Sequence, residues 1–257
     1  MKVVLFCGGL GTRLREHSDT IPKPLVNIGH RPIMWHLMKY YAHFGHTDFI
    51  ICLGYRGTMI KEFFVNYAEW LSNDFHLSDG GRKIDVFNRD IQDWRITFVD
   101  TGLHANIGER LLAAKRYLEG ESSFLANYSD GLTDLFLPEY LEQCRAKDVV
   151  GNVVAVRPAS SFHGVRCDDG GLVTSIGSLG DPDYWINGGF FFFKHEIFEY
   201  IEQGEELVEA PFRRLIQKKQ LFGYRHHGFW RAMDTLKDKI DFDRAYSRGE
   251  APWEVWR

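Results

Sequence analysis

The residue types best suited to chemistry lie close to the N-terminus. Gly8-Gly9-Leu10-Gly11-Thr12-Arg13-Leu14 follows the apolar run Val3-Val4-Leu5-Phe6-Cys7. Glycines at a strand exit let backbone amides approach oxyanions closely, and successive amides form an anion-binding concavity. A tight exit needs glycine in any case; Arg13 adds a permanent cation whose donor fork suits phosphate. Farther on, Pro22-Lys23-Pro24 holds a lysine between two prolines. Proline fixes its own φ and restricts the residue before it, so Lys23 has a stiff backbone, although a surface turn with a solvated lysine would read the same. The glycine spacing fits neither the dinucleotide fingerprint nor the phosphate loop ending in Lys-Ser/Thr. Two aspartates add acceptors. Asp130 follows a strand-like run, where open α/β sheets place ligands, and Asp234 ends Phe229-Trp230-Arg231-Ala232-Met233-Asp234. Each alone also reads as a turn or capping aspartate, and Asp100 and Asp134 read as structural.

These groups need a scaffold, and the chain alternates short β-branched runs with amphipathic stretches over residues 1–150. That pattern predicts an α/β fold with a mostly parallel sheet flanked by helices. Strands are expected at Val3–Phe6, Phe49–Leu53, Arg95–Val99, Ser123–Ala126 and Phe190–Phe193, and after Gly151–Val156 the composition shifts towards β and turn. Helices are expected at Pro32–Phe44, Gly57–Tyr67, Gly108–Leu118, Pro211–Lys219 and Lys237–Ser247. Between Trp70 and Asp93 the periodicity dissolves, which predicts a long loop or arm. Asp168-Asp169-Gly170-Gly171 is a hairpin signal within a more β-rich C-terminal subregion. With no internal repeat or low-complexity linker, a single domain over 1–257 is expected, with halves at 1–150 and 151–257.

Composition sets outer bounds. The 257 residues carry a net charge of −4, with 44% hydrophobic and 26% charged residues. No global basic field gathers nucleic acid, so phosphate binding must be local. No apolar stretch approaches the ~18 to 20 residues needed to span a bilayer. The start reads as a strand and not a signal peptide. Cys7, Cys52, Cys144 and Cys167 have no paired metal-ligand spacing, and free thiols in a reducing cytoplasm are expected. The aromatic-rich stretch from Trp70 to Trp94 makes a homo-oligomer plausible.

The glycine segment followed by Pro22-Lys23-Pro24-Leu25 resembles the signature of the sugar-phosphate nucleotidyltransferases. Further segments resemble the glucose-1-phosphate cytidylyltransferase branch of that family. They are Pro32-Ile33-Met34-Trp35-His36, Gly54-Tyr55-Arg56-Gly57, Val99-Asp100-Thr101-Gly102, Ile186-Asn187-Gly188-Gly189-Phe190-Phe191, the stretch from Gly228 to Thr235, and Ala251-Pro252-Trp253. They stand in the family's order and cover the chain nearly end to end.

The resemblance implies a Rossmann-like nucleotide-diphospho-sugar transferase fold. It also implies transfer from CTP to a sugar 1-phosphate, glucose 1-phosphate first, giving a CDP-sugar for polysaccharide synthesis and pyrophosphate. It assigns one magnesium ion to Asp130 and Asp234, the leaving phosphates to Arg13, and the α-phosphate or incoming phosphate to Lys23. Magnesium favours one or two carboxylates plus phosphate oxygens and water, which suits that pair. Nucleotide contacts would come from Leu5, Cys7, Gly8, Gly9, Gly11, Thr12, Thr101, Gly102, Gly108 and Arg110, although Arg110 could equally be an exposed helix residue. Sugar contacts would come from Tyr128, Ser129, Asn187 and Gly188. Where the family usually has Tyr-Gly, Ser129 adds a hydroxyl that would narrow the pocket.

One departure is larger. Relatives carry Glu-Lys-Pro before the Asn187 turn, the glutamate on sugar hydroxyls and the lysine on the sugar phosphate. This chain has Ser175-Ile176-Gly177-Ser178-Leu179-Gly180. Arg157, Arg166 and His163 are candidate substitutes, or plain exposed strand residues. The loss leaves transfer to a different phosphorylated acceptor as an alternative. A noncatalytic sugar-nucleotide binder is a further one, but it would have no need of Arg13, Lys23, Asp130 and Asp234 together.

Overall fold

Val3 to Cys7 is apolar at every position because a central strand of a covered sheet is buried on both faces. In β1 (Lys2–Cys7), Val3, Leu5 and Cys7 enter one hydrophobic cluster while Val4 and Phe6 enter another. The computed structural model describes residues 1–8, 21–158, 163–168, 170–178 and 184–257. Six further strands join β1: β2 (Asp48–Leu53), β3 (Arg95–Asp100), β4 (Ser123–Tyr128), β5 (Gly151–Val156), β6 (Ile186–Lys194) and β7 (Leu221–His226). They form one seven-stranded sheet in the order β7-β5-β6-β4-β1-β2-β3. All neighbours pair parallel except β6, which runs antiparallel to both β4 and β5.

That single reversal decides what meets at the functional edge. The C-terminal ends of β1, β3, β4, β5 and β7 share an edge with the N-terminal end of β6. Gly8, Thr101, Ser129, Arg157 and His227, which follow the parallel strands, therefore leave the sheet beside Asn187. Strands from both halves of the chain build this one sheet.

One face is covered by α1 (Ile33–His43), with Ile60 of α2 (Gly57–Val65), Tyr140 of α4 (Leu137–Lys147) and Phe242 of α6 (Leu236–Ser247) in the same cluster. The other is covered by α3 (Ile107–Ala114) and α5 (Ala210–Gln217), through Leu111, Ala114, Phe212 and Leu215. Asn106 caps α3 reciprocally with Glu109, so the helix starts one residue before Gly108. Among the described residues no helix is long and apolar enough to cross a membrane.

The expected hairpin forms between His163–Cys167 and Val173–Ser178, turning on Asp168, whose Oδ1 accepts the amides of Gly170 and Leu172. The stretch expected as a loop or arm contains a second hairpin, Phe75–Ser78 with Lys83–Val86. Its base is anchored by buried Arg31, which stands 4.1 Å over the Tyr67 ring and donates to Ala68 O and Ser72 Oγ. Asp90 closes the base by accepting from Tyr67, Ser72 and Asn73.

Candidate active site

Two prolines and a single 3₁₀ turn place Lys23. Pro22 is extended at φ −68° and ψ 143°, and its carbonyl accepts the Leu25 amide, so the lysine leaves a stiff backbone. Asp130 lies two residues past β4. Gly131–Thr133 then pairs antiparallel with Trp230–Ala232, setting Gly131 opposite Ala232, and the Met233 amide donates to Asp130 O at 2.9 Å. This short ribbon brings Asp234 beside Asp130. Thr235 caps α6, and Asp238 accepts the Asp234 amide, which fixes the backbone from the other side.

The Lys23 ammonium lies 2.5 Å from Asp130 Oδ2 and 2.8 Å from Asp234 Oδ1. Burial pushes the lysine pKa down, but the two carboxylates outweigh it and hold the value above that of an ordinary lysine. The structure thus joins three residues that the sequence spreads over more than two hundred positions. Lys23 and Asp130 border a cleft of roughly 240 Å³ lined also by Phe6, Cys7, Gly8, Pro24, Ile107, Tyr128 and Ser129, and Asp234 stands behind them through its pairing with Lys23. Among the described residues, no group of three or more His, Cys, Asp or Glu side chains gathers to hold a metal. The two carboxylates are the acidic donors here, and the ammonium between them shows that a cation is accommodated.

The other expected residues divide. Gly9, Gly11, Thr12 and Arg13 lie outside the described residues. Leu5 is wholly buried and its side chain belongs to the core. Cys7 lines the cleft, but burial raises its thiol to about 12, so it stands there as a neutral group. Thr101 and Gly102 line a second, open depression with His104 and Glu109.

Arg110 connects the two depressions. The reading of it as an exposed helix residue is corrected: it is 1% exposed. Its Nη1 donates to Leu53 O, Thr101 Oγ1 and Gly102 O. A Cβ on Gly8 would stand 2.0 Å from the Arg110 Cζ, so Gly8 is glycine because the guanidinium packs directly against it. Burial lowers its pKa. Gly108 faces away from the cleft: a Cβ there would meet Glu205 O at 2.1 Å, so it serves helix–loop packing.

Ser129 also departs from expectation. Its hydroxyl donates to Phe6 O at 2.9 Å and ties β4 to β1, so the polar group is spent on the backbone although the residue lines the cleft. Asn187 Oδ1 accepts the Gly189 amide at 2.8 Å, which leaves its amide group 3.4 Å from the Tyr128 hydroxyl. Gly188 is buried, and its carbonyl accepts from Trp230 Nε1 at 2.8 Å. Gly189, at φ +75°, packs against the Tyr128 ring, where any Cβ would clash. Asp100 and Asp134 are structural, accepting from the Gly102 amide and pairing with His226.

Sequence reasoning missed Phe6, Pro24 and Ile107 as cleft walls. The Asn106-Ile107-Gly108-Glu109 capping pattern carried the signal for Ile107, since it starts the helix there. The stripe Ile107, Arg110, Leu111, Ala114 likewise put Arg110 on the buried face of α3.

The nucleotidyl transferase family model matches residues 2–247. The Bacillus subtilis (strain 168) protein named "Probable glucose-1-phosphate cytidylyltransferase" is 36% identical over 258 residues, covering 100% of both chains. Glucose-1-phosphate cytidylyltransferase from Salmonella typhi is 37% identical with the same coverage. Among solved structures, HddC from Yersinia pseudotuberculosis superposes with a TM-score of 0.66 at 20% identity, covering 95% of this chain and 99% of that one, which speaks to the fold. The chain therefore belongs to the nucleotidyl transferase family, as a sugar-phosphate nucleotidyltransferase similar over its whole length to glucose-1-phosphate cytidylyltransferases.

Proposed function

We propose that the protein transfers a cytidylyl group from CTP to glucose 1-phosphate, giving CDP-glucose and pyrophosphate. The full-length likeness to two glucose-1-phosphate cytidylyltransferases supports the substrates. The observation that carries the chemistry is the convergence of Lys23, Asp130 and Asp234 at the edge of the sheet.

A sugar phosphate monoester is mostly dianionic at neutral pH, so its oxygen is a nucleophile without a general base. It attacks the α-phosphorus in line as the bond to the β-bridging oxygen breaks, and pyrophosphate leaves. The barrier is repulsion between anions and charge build-up at the α-phosphate, which fixed cations relieve. Lys23, held by two prolines, presents one such charge at the cleft, and Arg13 is assigned to the leaving phosphates. Arg110, packed against Gly8, adds positive potential at the C-terminal end of β1. Tyr128, Asn187 and the buried Gly188 turn orient the acceptor.

Members of this family use a divalent metal, and Asp130 with Asp234 would hold magnesium here. Two carboxylates that already share one cation suit it. When bound, the ion would neutralise phosphate charge and polarise the α-phosphoryl group.

Two further properties follow from the same reading. The buried free thiols Cys7, Cys52 and Cys144 suit a reducing cytoplasm. The hairpin after α2 places Phe75, Leu77, Ile84 and Val86 on one face, by the register Leu77↔Ile84 and Phe75↔Val86. A two-stranded ribbon is marginal alone, and an apolar face open to water favours a second copy.

The test is to incubate the protein with each nucleoside triphosphate and a panel of sugar phosphates and measure pyrophosphate release. Release with CTP and glucose 1-phosphate supports the reading. Release with CTP and another acceptor alone would sink the sugar assignment, and tight sugar-nucleotide binding with no release would sink the enzymatic one.

A further inference from the structure

Beyond Asn187, the same sheet edge carries a cationic cluster that the reaction outlined above does not use. Trp185 immediately precedes β6. The Arg157 Cζ stands 5.0 Å from the centre of its ring and the Arg225 Cζ 5.4 Å. The His227 ring meets the same indole edge-on at 5.1 Å and 88°.

The sheet explains the gathering. Val156 pairs with Ile186 and with His226, so the residues flanking those positions on β5, β6 and β7 leave the edge together. Two guanidinium groups on one indole repel each other. Cation–π attraction to the indole face offsets part of that. Among the described residues Arg225 forms no ion pair, and the chain as a whole is acidic, at −4. The two guanidinium groups here have donor forks shaped for phosphate or carboxylate oxygens.

The position is what makes the cluster informative. Neighbouring strands lie about 4.8 Å apart, so β5 ends roughly 10 Å from β4, whose end carries Asp130. Between them stands the Asn187-Gly188 turn. An acceptor whose reacting phosphate sits at Lys23 and whose sugar crosses that turn comes within reach of Arg157 and Arg225. In sequence, Arg157 and Trp185 bracket Ser175-Ile176-Gly177-Ser178, a segment with neither an acid nor a lysine.

We propose that Arg157, Trp185 and Arg225 form an acceptor subsite in which the two arginines bind oxyanion oxygens of the phosphorylated sugar, with Trp185 holding them in place. The assignment rests on the nucleotidyl-transfer reading and specifies which residues select its second substrate. The oxyanion is either the reacting phosphate itself or a second anionic group at the far end of the sugar, and the substrates below separate the two.

The experiment compares wild type, Arg157→Gln, Arg225→Gln and the double variant. Acceptor KM is measured at saturating CTP with glucose 1-phosphate, glucose 1,6-bisphosphate and glucuronic acid 1-phosphate. The expected result is an acceptor KM raised tenfold or more in the double variant, with the KM for CTP unchanged. An equal rise for all three acceptors assigns the arginines to the reacting phosphate. A rise confined to the bisphosphate and the uronic acid assigns them to the distal group. Unchanged acceptor KM values, or equal losses for acceptor and CTP, would overturn the subsite. If wild type releases no pyrophosphate with any pair, the transfer reading fails, and calorimetric titration with the three sugar phosphates decides the subsite alone. Binding weakened tenfold in the double variant supports it; unchanged or absent binding overturns it.

Discussion

An ammonium held between two carboxylates is already neutralised before any substrate arrives. Lys23 is in that position, at 2.5 Å from Asp130 and 2.8 Å from Asp234. A divalent ion held by those carboxylates would compete with it and would leave the displaced lysine available to phosphate. Lys23→Met is therefore expected to act in opposite directions on two measurements. Calorimetry should show magnesium bound severalfold more tightly, because the competing charge is gone. Turnover should fall about a hundredfold, by analogy with losing one oxyanion donor at about 3 kcal/mol. Undiminished turnover would refute the role in catalysis, and unchanged metal affinity would refute the competition. Lys23, Asp130 and Asp234 were each legible as candidates, but the direct pairing of the lysine with both carboxylates was not. Asp130 and Asp234 meet it only through the Gly131–Thr133 and Trp230–Ala232 ribbon, a pairing without any local sequence signal.

At the scale of elements, α1 shows a second constraint. It is buried along most of its length, and His36 in its first turn is 1% exposed. Its Nε2 lies 3.1 Å from Ile28 O and its Nδ1 lies 3.4 Å from the Trp253 indole nitrogen, which can only donate. The ring is thus neutral, with Nε2 donating and Nδ1 accepting. Burial, only partly countered by its backbone hydrogen bonds, lowers its pKa to about 4. In the unfolded chain a histidine titrates near 6.5, so between those values the unfolded state takes up a proton that the native state refuses. Native stability is expected to fall as pH drops from about 6.5 to 4, by about 3 kcal/mol from this residue. Denaturant titrations across that range check it, and His36→Gln should flatten the slope; an unchanged slope would reject His36 as the source. His46, also lowered to about 4 by burial and the N-terminal charge, contributes in the same direction and would remain. Helix α3 gives the complementary case. Its periodicity marked Arg110 as inward, yet a charged residue invites an exposed reading; only the carbonyls of Leu53 and Gly102 show how the burial is satisfied.

For the whole molecule, the apolar hairpin face is the feature that a lone chain leaves uncovered. Leu77 is 60% exposed, and Phe87, just beyond the second strand, 58%. The base cannot fold the arm away, because Arg31 and Asp90 hold it in a fixed network. Self-association through this face is expected to appear in sedimentation as a species above the 29.8 kDa chain mass. A Leu77→Glu, Ile84→Lys pair should restore the monomer while leaving the denaturation midpoint within about 0.5 kcal/mol, as for exposed substitutions. A wild-type monomer at micromolar concentration would reject the proposal.

The sequence by itself determined the class of sheet, because short β-branched apolar runs such as Val3 to Cys7, ended by glycines, suit strands covered on both faces. It determined local features too: the stiff turn at Lys23, the Asp168 hairpin, and the caps at Asn106 and Thr235 depend on neighbours a few residues apart. The tertiary structure decided which distant residues face one another. The antiparallel run of β6 places the Asn187 turn beside Asp130 and, one strand farther, gathers Arg157, Trp185 and Arg225. Strand order and direction depend on packing summed over the whole core, and no single segment encodes them.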